Sequence, residues 1–300
     1  MSTTDFPHGE QSPRATHRDL FEAALHATLL EMPYNSAAEY HRVHGLGDPD
    51  PRLGAACVRQ TIDVAHRAVS LGAPPATLLQ EGRHVAAVFQ DGGDLVVLDP
   101  YLLHLEPIRF PASEVERGSS SVEVPAVPVR RDAEGRERPA RLTARYTARA
   151  DGYVIRLTYS RFSPTKNVSI LSRHFSLPSS SVFVFDDFAR DMTGLLTHPE
   201  QTSVSVRAVS PDLRTTVEAV LPLHGFAERD FAAGDIWLRT GDGAMLHGSD
   251  DKAADVWHRL ETSLSLDAAT ISDHLIGAAR IYQRMADPSH EVAAYSLDDE

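Results

Sequence analysis

Cysteine is nearly missing from this chain: Cys57 is the only one in 300 residues. A lone thiol has no partner for an intrachain disulfide and excludes a multi-thiolate zinc site, so a reducing cytoplasm is the expected compartment. No apolar run reaches the ~18 residues of a membrane-spanning helix, and no secretory leader pattern opens the sequence, so no membrane partner is expected. Lysine occurs only at Lys166 and Lys252, and acids outnumber bases to a formal charge of -13. That balance argues against nucleic acid as a partner, despite a local basic stretch from Arg130 to Arg149. A phosphate loop is missing too, because Gly241-Asp242-Gly243 has no Lys-Ser or Lys-Thr after it and reads as a turn. His41, His44 and His66 read as helix-surface residues, so no metal site is expected.

What is present divides the chain into stretches. Residues 1–15 are polar and expected to be disordered. Apolar residues at Leu20, Ala23, Ala24, Ala27 and Leu30 follow helical spacing until Met32-Pro33, and a second helix is expected over Ser36–Val43. A third begins near Cys57, where Val58, Ile62, Ala65 and Val69 form one buried face, and ends at Gly72 with Pro74-Pro75. Short β-rich runs follow at Leu78–Gln80, Val85–Phe89 and Leu95–Leu98, the last two joined by the hairpin turn Asp91-Gly92-Gly93-Asp94. Further strands are expected at Val122–Val129, Ala140–Ala148, Tyr153–Tyr159, Ser203–Val209 and Thr215–Pro222, making the middle of the chain an antiparallel sheet or barrel. The stretch from Asp251 to Met285 is helical by periodicity. The fold class is therefore α+β, with helices over 16–75, strands over 76–222 and a C-terminal α/β part with further helices over 223–300.

Cys57 at a helix start, His84 at a strand start and Asp99 at a strand end fall in one order between residues 57 and 99. The hairpin returns His84 and Asp99 to the same physical end of the paired strands. A thiol at a helix N-terminus beside an imidazolium is poised to act as thiolate, and a carboxylate on the other ring nitrogen fixes the tautomer and holds its positive charge. Attack on an acyl carbon would give an acyl-thioester, its oxyanion held by backbone N–H groups near Cys57. Taken singly, each residue has a plainer account: a buried small hydrophobe, a satisfied strand histidine and a turn-forming Asp before Pro. Their shared placement at element ends favours the chemical reading. Tyr34, Tyr101, His104 and Phe175 are candidates to line an acyl or acceptor pocket.

These segments resemble the arylamine N-acetyltransferases. Met32-Pro33-Tyr34-Asn35-Ser36 is similar to that family's Pro-Phe-Glu-Asn stretch, and Leu53-Gly54-Ala55-Ala56-Cys57-Val58-Arg59-Gln60-Thr61 to its Arg-Gly-Gly-x-Cys-Phe-Glu-x-Asn motif. His84–Phe89 matches its His-x-x-x-x-Val strand, and Leu95-Val96-Val97-Leu98-Asp99-Pro100-Tyr101 its aspartate strand. The resemblance covers about residues 16 to 110 and is weak beyond, with a faint echo at Arg173–Ser180. It implies a helical bundle carrying Cys57, a central antiparallel β-barrel carrying His84 and Asp99, and a C-terminal α/β lid, around a cysteine-protease-like core. It also implies ping-pong acyl transfer through a Cys57 thioester, with no permanently bound cofactor. The co-substrate would be an acyl-CoA or acyl-carrier-protein thioester, which makes an acyl carrier protein a prospective partner alongside a small-molecule acceptor.

Departures from the motif set this chain apart. Leu53 stands at the arginine position, Ala55 at the second glycine, Arg59 at the glutamate, and Pro100-Tyr101 at Val-Gly. They imply a diverged member, of the kind that includes amide synthases releasing polyketide chains from a carrier protein in secondary metabolism. Amine or hydroxyl acylation is the leading expectation. Hydrolysis or cyclisation of the same intermediate is the alternative, and a non-catalytic binding protein on the same fold is a second.

Overall fold

Helical spacing governs the beginning of the chain. In the computed structural model, which describes residues 17–45 and 47–296, helix α1 spans His17–Glu31, strand β1 Tyr34–Asn35, α2 Ala38–His44 and α3 Cys57–Ser70. The expected disorder of residues 1–15 lies outside the described residues. Phe21, Ala24, Leu25 and Leu29 recur at helical period on α1 and pack with Val64, Ala65 and Ala68 of α3. Pro33, which lacks an N–H to continue the ladder, stands just past α1, after Met32.

Beyond α3 the chain alternates with period two. Strands β2 (Ala76–Glu81), β3 (His84–Asp91), β4 (Asp94–Leu98) and β5 (Ile108–Phe110) form an antiparallel sheet in sequence order. Ala87, Phe89, Val96 and Leu98 face α1 and α3, whereas Ala86, Val88, Leu95 and Val97 face the next sheet. Both faces are covered, so β3 and β4 read as almost continuous apolar runs. After α4 (Ala112–Glu116), the longer strands β6 (Ser119–Arg131), β7 (Glu137–Arg149), β8 (Gly152–Ser163) and β9 (Val168–Pro178) form the second antiparallel sheet. Helices α5 (Phe185–Arg190) and α6 (Met192–Leu196) lead to β10 (Ser203–Val209), β11 (Thr216–Pro222), β12 (Trp237–Arg239) and β13 (Met245–His247). The third sheet runs β1-β10-β11-β12-β13. Helices α7 (Ala254–Leu264) and α8 (Ala268–Met285) cover it, burying Val204, Val206, Ala219 and Leu221 beneath Leu260, Leu275 and Tyr282.

The class is α+β, with eight helices and three antiparallel sheets among the described residues, where the expected β-barrel does not form. The two middle sheets share one core without closing. At one seam β5 is three residues long and gives way to Pro111 and α4 before β6 begins. At the other, only a short crossing joins β2 to the chain after β9, through Gln80 N to Ser181 O (2.9 Å) and Phe183 N to Leu78 O (2.9 Å). The strands at 203–222 also leave the middle: β10 pairs with β1 and β11 with β12. Strand β9 was not expected, because Ser, Arg and His interrupt its apolar residues and most of its side chains stay partly exposed. Among the described residues no helix is long and apolar enough to cross a membrane.

One tight contact fixes where α3 starts. Ala55 N donates to Pro33 O (2.9 Å), and Asn35 N donates to Ala55 O (2.8 Å), so the approach to Cys57 is pinned to β1. Gly54 allows this approach. Its φ is +78°, and a Cβ there would stand 1.8 Å from Pro33 O. Gly135 shares that φ but has no atom within 4 Å of the same position. In urea denaturation, Gly135→Ala is expected to cost about 1–2 kcal/mol from backbone conformation alone. Gly54→Ala should cost clearly more, and equal costs would mean that the Pro33 contact constrains nothing.

Candidate active site

Cys57 is the first residue of α3, preceded by the extended Ala56. The first helical bonds run from Arg59 N and Gln60 N to Ala56 O, at 2.9 and 3.1 Å, so the N–H groups of Cys57 and Val58 lie in the open first turn. That end of the helix carries partial positive charge. Two side chains of α3 hold it in place: Gln60 Nε2 donates to Met32 O (2.7 Å), and Thr61 Oγ1 donates to Val85 O (2.8 Å). The second bond ties the helix to the residue after His84. Cys57 itself is half-buried, with Sγ 3.8 Å from Arg83 O.

The β3–β4 hairpin pairs Ala87 with Leu98, which brings His84 and Asp99 to its open end. Their side chains meet there, with His84 Nε2 2.7 Å from Asp99 Oδ2. Asp99 is wholly buried and His84 is 3% exposed. Asp99 N donates to His104 Nε2 (2.9 Å), and His104 Nδ1 donates to Glu106 O (2.7 Å). Burial lowers the proton affinity of His104, outweighing its contact with Glu106 O and the nearby Asp99, and keeps it the neutral acceptor this arrangement needs. The face of His84 stacks on Phe175 of β9, centroids 3.6 Å apart at 16°, and Tyr101 stands 5.6 Å away.

Electrostatics set the protonation of His84. Burial pushes its pKa down, but the charge and hydrogen bond of Asp99, with a smaller contribution from Cys57, outweigh it and raise the value to about 10. Nδ1 has no hydrogen-bond partner among the described residues, and Cys57 is the titratable neighbour besides Asp99 that favours the protonated ring.

Cys57 and His84 open into a cavity of about 520 Å³. Its apolar wall comes from Val58, Phe175, Phe188, Met192, Leu195 and Leu196. Tyr34 and Tyr101, centroids 5.1 Å apart, line one side. Burial first, then the neighbouring Tyr101 and Cys57, hold the Tyr34 hydroxyl in its neutral form. The structure thus brings Cys57, His84, Asp99, Tyr34, Tyr101 and Phe175 together. His104 is the exception. It is fully buried behind Asp99, outside the cavity lining, and positions that residue instead of meeting a ligand.

Arg59, which reverses the charge of the motif position, is answered by Glu39 of α2. Its Nε lies 2.6 Å from Glu39 Oε1, and Glu39 is almost wholly buried. Glu39 lines the cavity, as do Arg83 and the α6 residues Met192 and Leu196. Sequence reasoning missed all four, although the apolar run Val182-Phe183-Val184-Phe185 marks a segment with something to cover. Among the described residues, no group of three or more His, Cys, Asp or Glu is arranged to hold a metal ion.

Two histidines make stability depend on pH in opposite windows. With its pKa raised from 6.5 to about 10, His84 contributes fully below pH 6.5, and that contribution is lost as pH rises toward 10. The loss amounts to at most about 1.4 kcal/mol per pH unit. His274, lowered to about 3 by burial and then by His41, must stay neutral, so stability falls as pH drops from 6.5 toward 3. Denaturation midpoints measured across pH 4–10 should peak near neutrality, taking that range as roughly the span of both windows. His84→Gln is expected to flatten the alkaline limb alone. An unchanged alkaline slope in that variant would refute the raised proton affinity.

Comparison of the chain with protein-family models, with curated proteins and with solved structures finds no match.

Proposed function

We propose that the protein is a thiol-dependent acyltransferase. One observation carries this reading: His84 is anchored to buried Asp99 by one ring nitrogen, while its other, unpartnered nitrogen belongs to the residue that shares a cavity wall with Cys57 at a helix start. The arrangement has the roles that nucleophilic catalysis needs, a nucleophile, a proton carrier and a group that orients the carrier.

In the proposed reaction, the Cys57 thiolate attacks the carbonyl carbon of a thioester, and the first N–H groups of α3 face the developing oxyanion. The donor's C–S bond then breaks, and its sulfur leaves as a thiol with the proton carried by His84. An amine or hydroxyl acceptor next attacks the acyl group on Cys57. Its proton passes to His84 as the Cys57 C–S bond breaks, which restores the starting state. Phe188, Met192, Leu195 and Leu196 give an acyl chain an apolar wall. The donor is a CoA or carrier-protein thioester, and the resemblance to the arylamine N-acetyltransferases supports the same reaction class.

Intact-mass spectrometry tests the reading. Incubation with acyl-CoA or acyl-carrier thioesters should add one acyl mass, and Cys57→Ala should abolish it. Asp99→Asn should slow its formation by roughly 10²–10⁴-fold, the usual contribution of a positioned acid–base group. If no thioester acylates the protein, the proposal fails. Decay of the adduct without an acceptor would identify a hydrolase instead.

A further inference from the structure

A second cavity of about 340 Å³ adjoins the first and shares Tyr34, Arg83, Tyr101 and Phe175 with it. Its interior is built differently. Arg130 of β6, Arg161 of β8 and Arg207 of β10 converge there from two sheets. Arg130 is 6% exposed and Arg161 8% exposed. A buried guanidinium normally sits against a carboxylate, because an unpaired buried charge is strongly destabilising. Among the described residues no carboxylate pairs with any of these three.

Their contacts are instead to neutral groups. Arg130 Nη1 donates to Phe162 O (2.7 Å) and its Nε to Gly241 O (3.2 Å). It packs against Gly243, where a Cβ would come within 2.5 Å of Nη2. Arg207 lies over the rings of Tyr34 and Tyr101, 5.0 and 5.3 Å from their centroids, and its Nη2 donates to Tyr101 O (3.1 Å). The Nε atoms of both Arg161 and Arg207 are buried without a hydrogen-bond partner among the described residues. Two acids line the chamber, and each already faces an arginine: Glu218 lies 3.4 Å from Arg239, and Glu200 lies 3.8 Å from Arg83 and is largely exposed. Burial, then Arg239 and Arg130, push the pKa of Arg161 down to about 10. Cations thus repel one another inside a preformed cavity.

We infer that this chamber is an oxyanion-binding subsite, which receives a carboxylate or phosphate group at the end of a substrate whose reacting atom lies at Cys57. The link to Cys57 rests on the acyltransferase reading, whereas the anion site stands on its own geometry. Planar guanidinium groups on three strands suit the forked oxygens of either anion. The shared tyrosine wall gives a ligand a path between the cavities.

Isothermal titration calorimetry of the intact protein with glutarate and with inorganic pyrophosphate tests the site without any thioester. At least one should bind, and the preferred one distinguishes a carboxylate from a phosphate. Arg161→Gln and Arg207→Gln, each checked for native circular dichroism, should weaken binding at least tenfold. Cys57→Ala should not. Arg161→Gln should also raise the ligand-free melting temperature, because it removes a repelled cation, and this readout survives if its affinity is too weak to measure. Leu297-Asp298-Asp299-Glu300 supplies further carboxylates close in sequence to Tyr295, a lining residue. The titration is therefore repeated with Asp298→Asn, Asp299→Asn and Glu300→Gln combined. Binding in either form that depends on Arg161 and Arg207 supports the subsite. No binding in both forms, or binding indifferent to both arginines, overturns it. Acylation of Cys57 is measured separately, so either proposal can fail alone.

Discussion

The buried contact between His84 and Asp99 is the constraint around which the site is organised. A carboxylate with no solvent exposure is tolerable only beside a cation and well-placed donors. Here the cation is an imidazolium, whose Nε2–H is the donor to Oδ2, while the Asp99 backbone N–H is directed to His104 Nε2. The double cover over β3 and β4 excludes water from the pair, and Phe175 seals the open face of the imidazole. The same burial that makes the pair costly to assemble also makes each partner's charge strongly felt by the other.

The site was legible to the extent that its residues sit at element ends. The periodicity of Val58, Ile62 and Ala65 places Cys57 at the start of a helix, and the Asp91–Asp94 turn folds His84 back toward Asp99. Tyr34, Tyr101 and Phe175 also reach the cavity. His104 lies outside the cavity lining, and its role as a neutral acceptor for a backbone N–H shows only in three dimensions. The barrel failed for a similar reason. Alternation predicts strands, and whether β5 is long enough to present an edge to β6 is a matter of where Pro111 ends it.

Charge gave the least local information. An overall excess of acid says nothing of Arg130, Arg161 and Arg207, which lie on strands far apart in sequence and meet only through the stacking of two sheets. Arg59 teaches the same lesson in reverse. Beside Cys57 it reads as a disruptive charge, yet Glu39, twenty positions earlier, closes a salt bridge to it.

The pairing of β1 with β10 carries a consequence for biosynthesis. Tyr34 lies opposite Arg207, and Asn35, beside it, hydrogen-bonds His274 at a separation of 239 residues. Chains emerge N-terminus first. The thiol, histidine and aspartate are therefore all made before the strand that holds Tyr34 against them, and long before the helix that steadies Asn35. A nascent chain carries Cys57, His84 and Asp99 without the finished chamber around them. The order of synthesis defers the finished cavity wall until α8 has been made.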